Sequence, residues 1–157
     1  MTSKLPLTNP TIPLNSLILV TGANGLIASH VTDQLLSAGY LVRGTVRSSH
    51  KSSYLLPLYT SRHGPNRFSL VEVHDLAAPY AWDAAVRGVS GIAHVIGATD
   101  LGVQDSDASA AKELPWQIAL LEAARREGTV IICVYFVGMG GLNARCVGDR
   151  DVDGGAV

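Results

Sequence analysis

An α/β fold, a doubly wound parallel sheet of about five strands in the order 3-2-1-4-5, is what this sequence predicts. Three observations carry the prediction. Short apolar runs alternate with segments of helical period along most of the chain. The runs are apolar throughout instead of alternating with polar residues, as strands covered on both faces are. Glycines stand where the helices should stop, at Gly39, Gly88 and Gly128. Strand–helix alternation of this kind means parallel pairing with helices on both faces. The first strand then lies at the centre, and its C-terminal end opens at the topological switch point, where ligands sit.

The elements follow in order. SLILVT makes a short buried strand. From Gly25 to Ala38 the period turns helical, with Ile27, Val31 and Leu35 sharing one face. YLVRGTV (Tyr40 to Val46) is the second strand, with Arg43 inside it in a structural role. A short helix is expected over Ser52 to Tyr59, broken around Pro57. FSLVEVH (Phe68 to His74) is the third strand. Pro79 is placed to open a short helix, AWDAAVRG, ending on Gly88. Ile92 to Ile96 is the fourth strand. A polar loop, Asp100 to Asp107, leads to the helix ELPWQIALLEAARREG, with Leu114, Ile118 and Leu121 lining one side. Thr129 to Gly138 is the fifth strand, rich in β-branched and aromatic residues. The expected organisation is a flexible lead over 1–15, one domain over 16–138, and an irregular, disordered tail over 139–157.

Composition narrows the function. The 157 residues suit one domain, and 47% hydrophobic content is ample for a buried core. The 12 basic and 13 acidic side chains leave a net charge of −1, which gives no footprint for DNA or RNA. No window approaches the roughly 18 apolar residues of a membrane span. The first 15 residues lack a secretory pattern, so a cytoplasmic setting is expected. Cys133, in an apolar run, reads as a buried small hydrophobe, and Cys146 as a free thiol in the tail. Neither cysteine belongs to a metal motif, and His30, His50, His63, His74 and His94 show no ligand spacing, so no metal site is assigned.

The stretch VTGANGLIASH carries the chemistry. A diphosphate can approach backbone N–H groups at a helix start only if nothing intervenes. A side chain at Gly22 would obstruct the tight turn leaving the strand, and one at Gly25 would block the anion itself. Ala28 must be small so that the helix lies close to the strand. The pattern GxxGxxA is weak alone, but between a predicted strand and a predicted helix it points to a Rossmann-type dinucleotide site. At the end of the second strand, where NAD sites often carry a carboxylate, the chain reads Val46-Arg47-Ser48-Ser49-His50-Lys51. Arg47 and Lys51, four apart, suit the 2′-phosphate of NADP, so NADPH is favoured over NADH. Asp75 could face the adenine amine or equally serve a turn. Gly97 and Ala98 offer small residues beside the nicotinamide half.

Together VTGANGLIASHV, GTVRSSHK, VHDL, GIAHVIGAT and LLEAARREGTV resemble the N-terminal part of the extended short-chain dehydrogenase/reductases, the NAD-dependent epimerase/dehydratase superfamily. Within that group the chain is most similar to the NADPH-dependent ketone and aldehyde reductases related to dihydroflavonol reductase. The likeness spans Ser16 to Val134. It implies dinucleotide contacts at Gly22, Ala23, Asn24, Gly25, Leu26 and Ile27, a 2′-phosphate pair at Arg47 and Lys51, and adenine contacts at Asp75 and Leu76. It also implies an oxidoreductase that reduces carbonyls with NADPH, through a Tyr-x-x-x-Lys pair and a Ser.

The chain departs from that pattern where catalysis is expected. Tyr40, Tyr54, Tyr59, Tyr80 and Tyr135 are followed four residues on by Gly44, Leu58, His63, Ala84 and Met139, never by lysine. A Thr-Ser-Ser type segment is replaced by YFVGMGGLNARC, and the helix around Pro115 is shortened against the family pattern. No catalytic residue is therefore assigned. The expectation is a truncated cofactor-binding domain, ended early or by translated non-coding sequence, whose carbonyl substrate would be met only in a full-length form. The alternative is a non-catalytic module that senses NADP(H) or binds a protein partner.

Overall fold

The computed structural model describes residues 9–97, 106–137 and 141–146. Its elements run β1 (Leu17–Val20), α1 (Leu26–Ala38), β2 (Leu41–Val46), α2 (Leu55–His63), β3 (Phe68–Glu72), α3 (Asp83–Val86), β4 (Gly91–His94), α4 (Ser106–Glu127), β5 (Ile132–Val137) and β6 (Gly141–Cys146). The sheet order is β3-β2-β1-β4-β5-β6. Its first five strands are parallel and keep the expected 3-2-1-4-5 order. β6 pairs antiparallel to β5, from Ile132 opposite Cys146 to Val137 opposite Gly141. Within the expected irregular tail, residues 141–146 are therefore a strand, and the rest of 139–157 lies outside the described residues. That strand forms the return arm of a hairpin, whose antiparallel pairing needs no crossover and covers the outer edge of β5.

Two apolar cores flank the sheet, and β1 feeds both because successive side chains point to opposite faces. Leu19 joins Trp82, Val86, Val89, Ile92, Leu120 and Ala124 under α3 and α4. Val20 joins Ala28, Leu36, Val42, Leu55 and Tyr59 under α1 and α2. The buried row of α1 is Ala28, Thr32 and Leu36, one residue on from the expected Ile27, Val31 and Leu35. Ala28 sets this rotation, because the smallest side chain allows the closest approach to the strands. Ile27 is left exposed at the helix tip. In α4 the buried residues are likewise Leu120, Ala123 and Ala124, while Leu114 and Ile118 are exposed.

Several boundaries differ from those the sequence suggests. α2 runs through Pro57 to His63. Pro57 lies in the first helical turn, where an N–H would have no intrahelical acceptor, so nothing is broken. Pro79 does not open α3, because Tyr80 takes φ 61° and the helix begins only at Asp83. α4 starts at Ser106, upstream of the expected Glu113, and passes through Pro115. The alanine-rich stretch before Lys112 has the propensity to extend it. Arg43 is structural, as read: its guanidinium donates to the carbonyls of Ala85 (2.9 Å) and Arg87 (2.7 Å), at the end of α3.

Residues 9–15, expected to be part of a flexible lead, are anchored to the domain. The Asn15 N–H donates to the Gly39 carbonyl (3.0 Å) and the Tyr40 hydroxyl to the Ile12 carbonyl (3.0 Å).

α1 and α2 are tied at the surface by Asp33, whose Oδ1 lies 2.9 Å from His63 Nε2 and 3.2 Å from Arg62 Nη1. The hydrogen bond from His63 holds the Asp33 carboxyl below its ordinary pKa, assisted by the charges of His63 and Arg62. The stabilisation is therefore present above the ordinary carboxyl pKa and is lost as pH falls through the lowered one. Asp33→Asn should cost about 0.5–1 kcal/mol at pH 7, read as a lower urea midpoint with an unchanged slope.

Candidate functional site

The site begins where β1 ends. Gly22 takes φ +66°, and a Cβ added there would lie 2.8 Å from Ile96 Cγ1. This position needs glycine for both conformation and space. The Gly22 N–H donates to Thr45 Oγ1 (3.1 Å), and the Ala23 N–H to the Thr45 carbonyl (2.9 Å). Gly25 folds back, its N–H on the Gly22 carbonyl at 2.8 Å, and a Cβ on it would meet that carbonyl oxygen at 3.2 Å. α1 then starts with no side-chain cap and no acidic residue in its first turn. The N–H groups of Leu26, Ile27 and Ala28 thus have no acceptor within the helix, and they carry the positive end of its dipole.

The crevice beside this turn is built by Thr21. Its hydroxyl oxygen accepts the N–H groups of Val95 (2.9 Å) and Ile96 (3.2 Å), and lies 3.1 Å from His94 Nδ1. With both lone pairs engaged, the hydroxyl has only its proton to offer, so it donates to an unprotonated Nδ1. This ties the end of β1 to the chain leaving β4. His94 is buried, its ring edge-on to Trp82 at 6.3 Å, and burial lowers its pKa from 6.5 to about 4. The imidazole is therefore neutral at pH 7.

The opposite wall is the segment after β2. Ser48 Oγ accepts the Lys51 N–H (3.4 Å), the Ser52 N–H donates to the Ser48 carbonyl (3.2 Å), and the Ser49 N–H donates to Glu72 Oε1 (2.7 Å). Arg47 and Lys51 flank this turn, both exposed.

These parts enclose one cleft of about 670 Å³. Of the residues singled out in the sequence, Gly22, Asn24, Gly25, Leu26, Ile27, Ala28, Arg47, Lys51, Leu76 and Gly97 line it together. Ala23 and Asp75 are not among its lining residues. The Ala23 side chain is fully buried, in the core beneath the turn. The Asp75 carboxylate accepts the N–H of Ala77 (3.0 Å), a turn contact of the kind aspartate makes with the backbone two residues on. Ala98 lies outside the described residues. Thr21, Thr45, Ser48 and Glu72 carry no site signal of their own in the sequence. Their roles come from strand register, which no local motif displays. Among the described residues, no cluster of three or more His, Cys, Asp or Glu side chains could hold a metal ion. No described helix is long and apolar enough to cross a membrane.

A glycine turn opening a helix at the switch point of a 3-2-1-4-5 sheet defines a Rossmann-type domain. Residues 18–139 match the NAD dependent epimerase/dehydratase family, and the chain belongs to it. It is 40% identical over 119 residues to the NAD-dependent epimerase/dehydratase terH of Aspergillus terreus, covering 76% of this chain and 35% of that protein. It is 32% identical over 127 residues to the dihydroflavonol 4-reductase of Zea mays, covering 80% of this chain and 35% of that one. Among solved structures, Gre2 of Candida albicans in complex with NADPH superposes with a TM-score of 0.62 at 30% identity, over 76% of this chain and 36% of Gre2. The chain spans about a third of the length of these relatives.

Proposed function

We propose that this chain is the NADP(H)-binding domain of a ketone or aldehyde reductase. One observation carries the reading: the glycine turn at the tip of α1 faces Arg47, Ser48 and Lys51 across a single cleft. The cradle fits a dinucleotide. Glycine is required where a diphosphate would approach, and the N–H groups of Leu26, Ile27 and Ala28 stand ready for anionic oxygens. The exposed Leu26 and Ile27 side chains and the apolar Val73 and Leu76 offer surface to flat rings. Arg47 and Lys51 supply the charge that suits a 2′-phosphate. The reductase relatives and the NADPH-bound Gre2 support the same reading.

Bound NADPH would supply the reducing equivalents. This chain's residues would bind and orient it: the helix tip at the diphosphate, the Arg47–Lys51 turn at the ribose phosphate, and Gly97 near the reacting end. No tyrosine in the sequence carries a lysine four residues on, so the domain is expected to bind without reducing.

Calorimetric titration with NADPH and NADH tests the assignment. Arg47→Ala should weaken NADPH about tenfold or more and NADH less than about twofold, since a charge-assisted pair is worth roughly 1.5–3 kcal/mol. Equal affinity of the unsubstituted protein for both cofactors would defeat the 2′-phosphate assignment. Robust reduction of aldehydes or ketones by the chain would defeat the claim that it binds only.

A further inference from the structure

We infer that Glu72 is a positioning residue that sets cofactor preference by holding the Arg47–Lys51 turn in its binding shape. The inference rests on the proposed function above.

Parallel register places Glu72 opposite Val46, at the last paired position of β2 and β3. The Glu72 side chain therefore stands beside the chain as it leaves β2 for the basic turn. Its Oε1 accepts the Ser49 N–H at 2.7 Å, a short, charge-assisted bond. Ser48 Oγ accepts the Lys51 N–H from inside the same turn, at 3.4 Å. These two acceptors cap the first N–H groups of a turn that continues through Ser52 and Leu55 into α2. Ser52 is buried at the base of the turn. The Arg47 and Lys51 side chains, at the two ends, are exposed, so the backbone between them must fix their spacing.

A carboxylate so near a 2′-phosphate would repel it if it faced the cleft. Glu72 is not among the cleft's lining residues. Its Oε1 is turned to the Ser49 N–H, and its Oε2 lies 4.0 Å from His74 Nε2. The negative charge is thus held outside the cleft while its hydrogen bond shapes the wall. Preorganising the turn benefits only a ligand that uses both cations, which NADPH does and NADH does not.

Glu72→Ala and Glu72→Gln separate this from other roles. With the full chain and calorimetric titration, Glu72→Ala should raise the Kd for NADPH about tenfold and that for NADH less than about twofold. Glu72→Gln keeps an acceptor oxygen and should stay within about threefold of the unsubstituted protein for both. Limited trypsin digestion without cofactor should cut faster after Arg47 and Lys51 in Glu72→Ala, and at the original rate in Glu72→Gln. Unchanged NADPH affinity in Glu72→Ala overturns the inference. An equal loss for both cofactors also overturns it, as does a larger loss for NADH, which would mark a ribose-binding carboxylate. If Arg47→Ala abolishes the NADPH preference and Glu72→Ala does not, the site stands and only the role of Glu72 falls. If the unsubstituted protein binds neither cofactor, the site itself falls.

Discussion

Gly44→Ala should lower stability by about 2–3 kcal/mol and weaken NADPH binding, although Gly44 does not line the cleft. Gly44 sits in β2, opposite Val20 on one side and Leu70 on the other. A Cβ there would lie 2.5 Å from the Ala23 methyl and 3.0 Å from Phe68 Cζ. Ala23 cannot retreat cheaply. It is fully buried, and its N–H is committed to the Thr45 carbonyl. One methyl group would therefore shift the turn whose shape the binding of a diphosphate needs. In thermal melts the midpoint should fall by roughly 5–10 °C for a chain of this size. Gly88→Ala is the control. Its φ is +69° and nothing lies within 4 Å, so it should cost about 1 kcal/mol of backbone strain and leave binding unchanged. Equal effects of the two substitutions would refute the packing argument.

The second large effect depends on pH. His94 is buried and titrates near 4 in the folded protein, against 6.5 when exposed. Between those values the unfolded chain binds a proton that the native state refuses. Stability attributable to this residue is therefore complete above pH 6.5 and declines as pH falls towards 4, by about 3 kcal/mol in all. Protonation of Nδ1 would also set an N–H against the Thr21 hydroxyl proton, opening the tie between β1 and β4. Urea unfolding at intervals from pH 7 to pH 4.5 should show a steeper decline for the unsubstituted protein than for His94→Gln. Parallel curves for the two would show that His94 is not the titrating group.

What the sequence reveals, and what it withholds, divides along the range of the interactions. The alternation of apolar strands and helical periods, together with the glycine turn, suffices for the parallel order of β1 to β5, because each is a local pattern read against chirality rules. The clustering of Gly22, Gly25, Arg47 and Lys51 in one cleft follows from that topology alone. Gly44 has no local signature. Its need for glycine arises from Ala23, 21 positions earlier, and is visible only once the turn is seen lying over β2. Thr21 and Glu72 act across strands in the same way, and a Thr or Glu at a strand end has many ordinary explanations. On α1 and α4 the apolar spacing finds only the margin of the packed face: Val31, Leu35 and Leu121 pack partly buried against the cores, while Ala28, Ala123 and Ala124 are buried beside Leu36 and Leu120. Close helix–sheet approach favours the small residue.

The central place of β1 also constrains the order in which the domain can be completed during synthesis. β1, β2 and β3 are neighbours in the sheet and lie within the first 72 residues. The other flank of β1 must wait for Gly91–His94, some 70 residues downstream of its partner. Until those residues leave the ribosome, a nascent three-stranded array presents an apolar, hydrogen-bond-hungry border at Ile18–Val20, and this interval is when the growing polypeptide is most exposed to mispairing with another copy of itself.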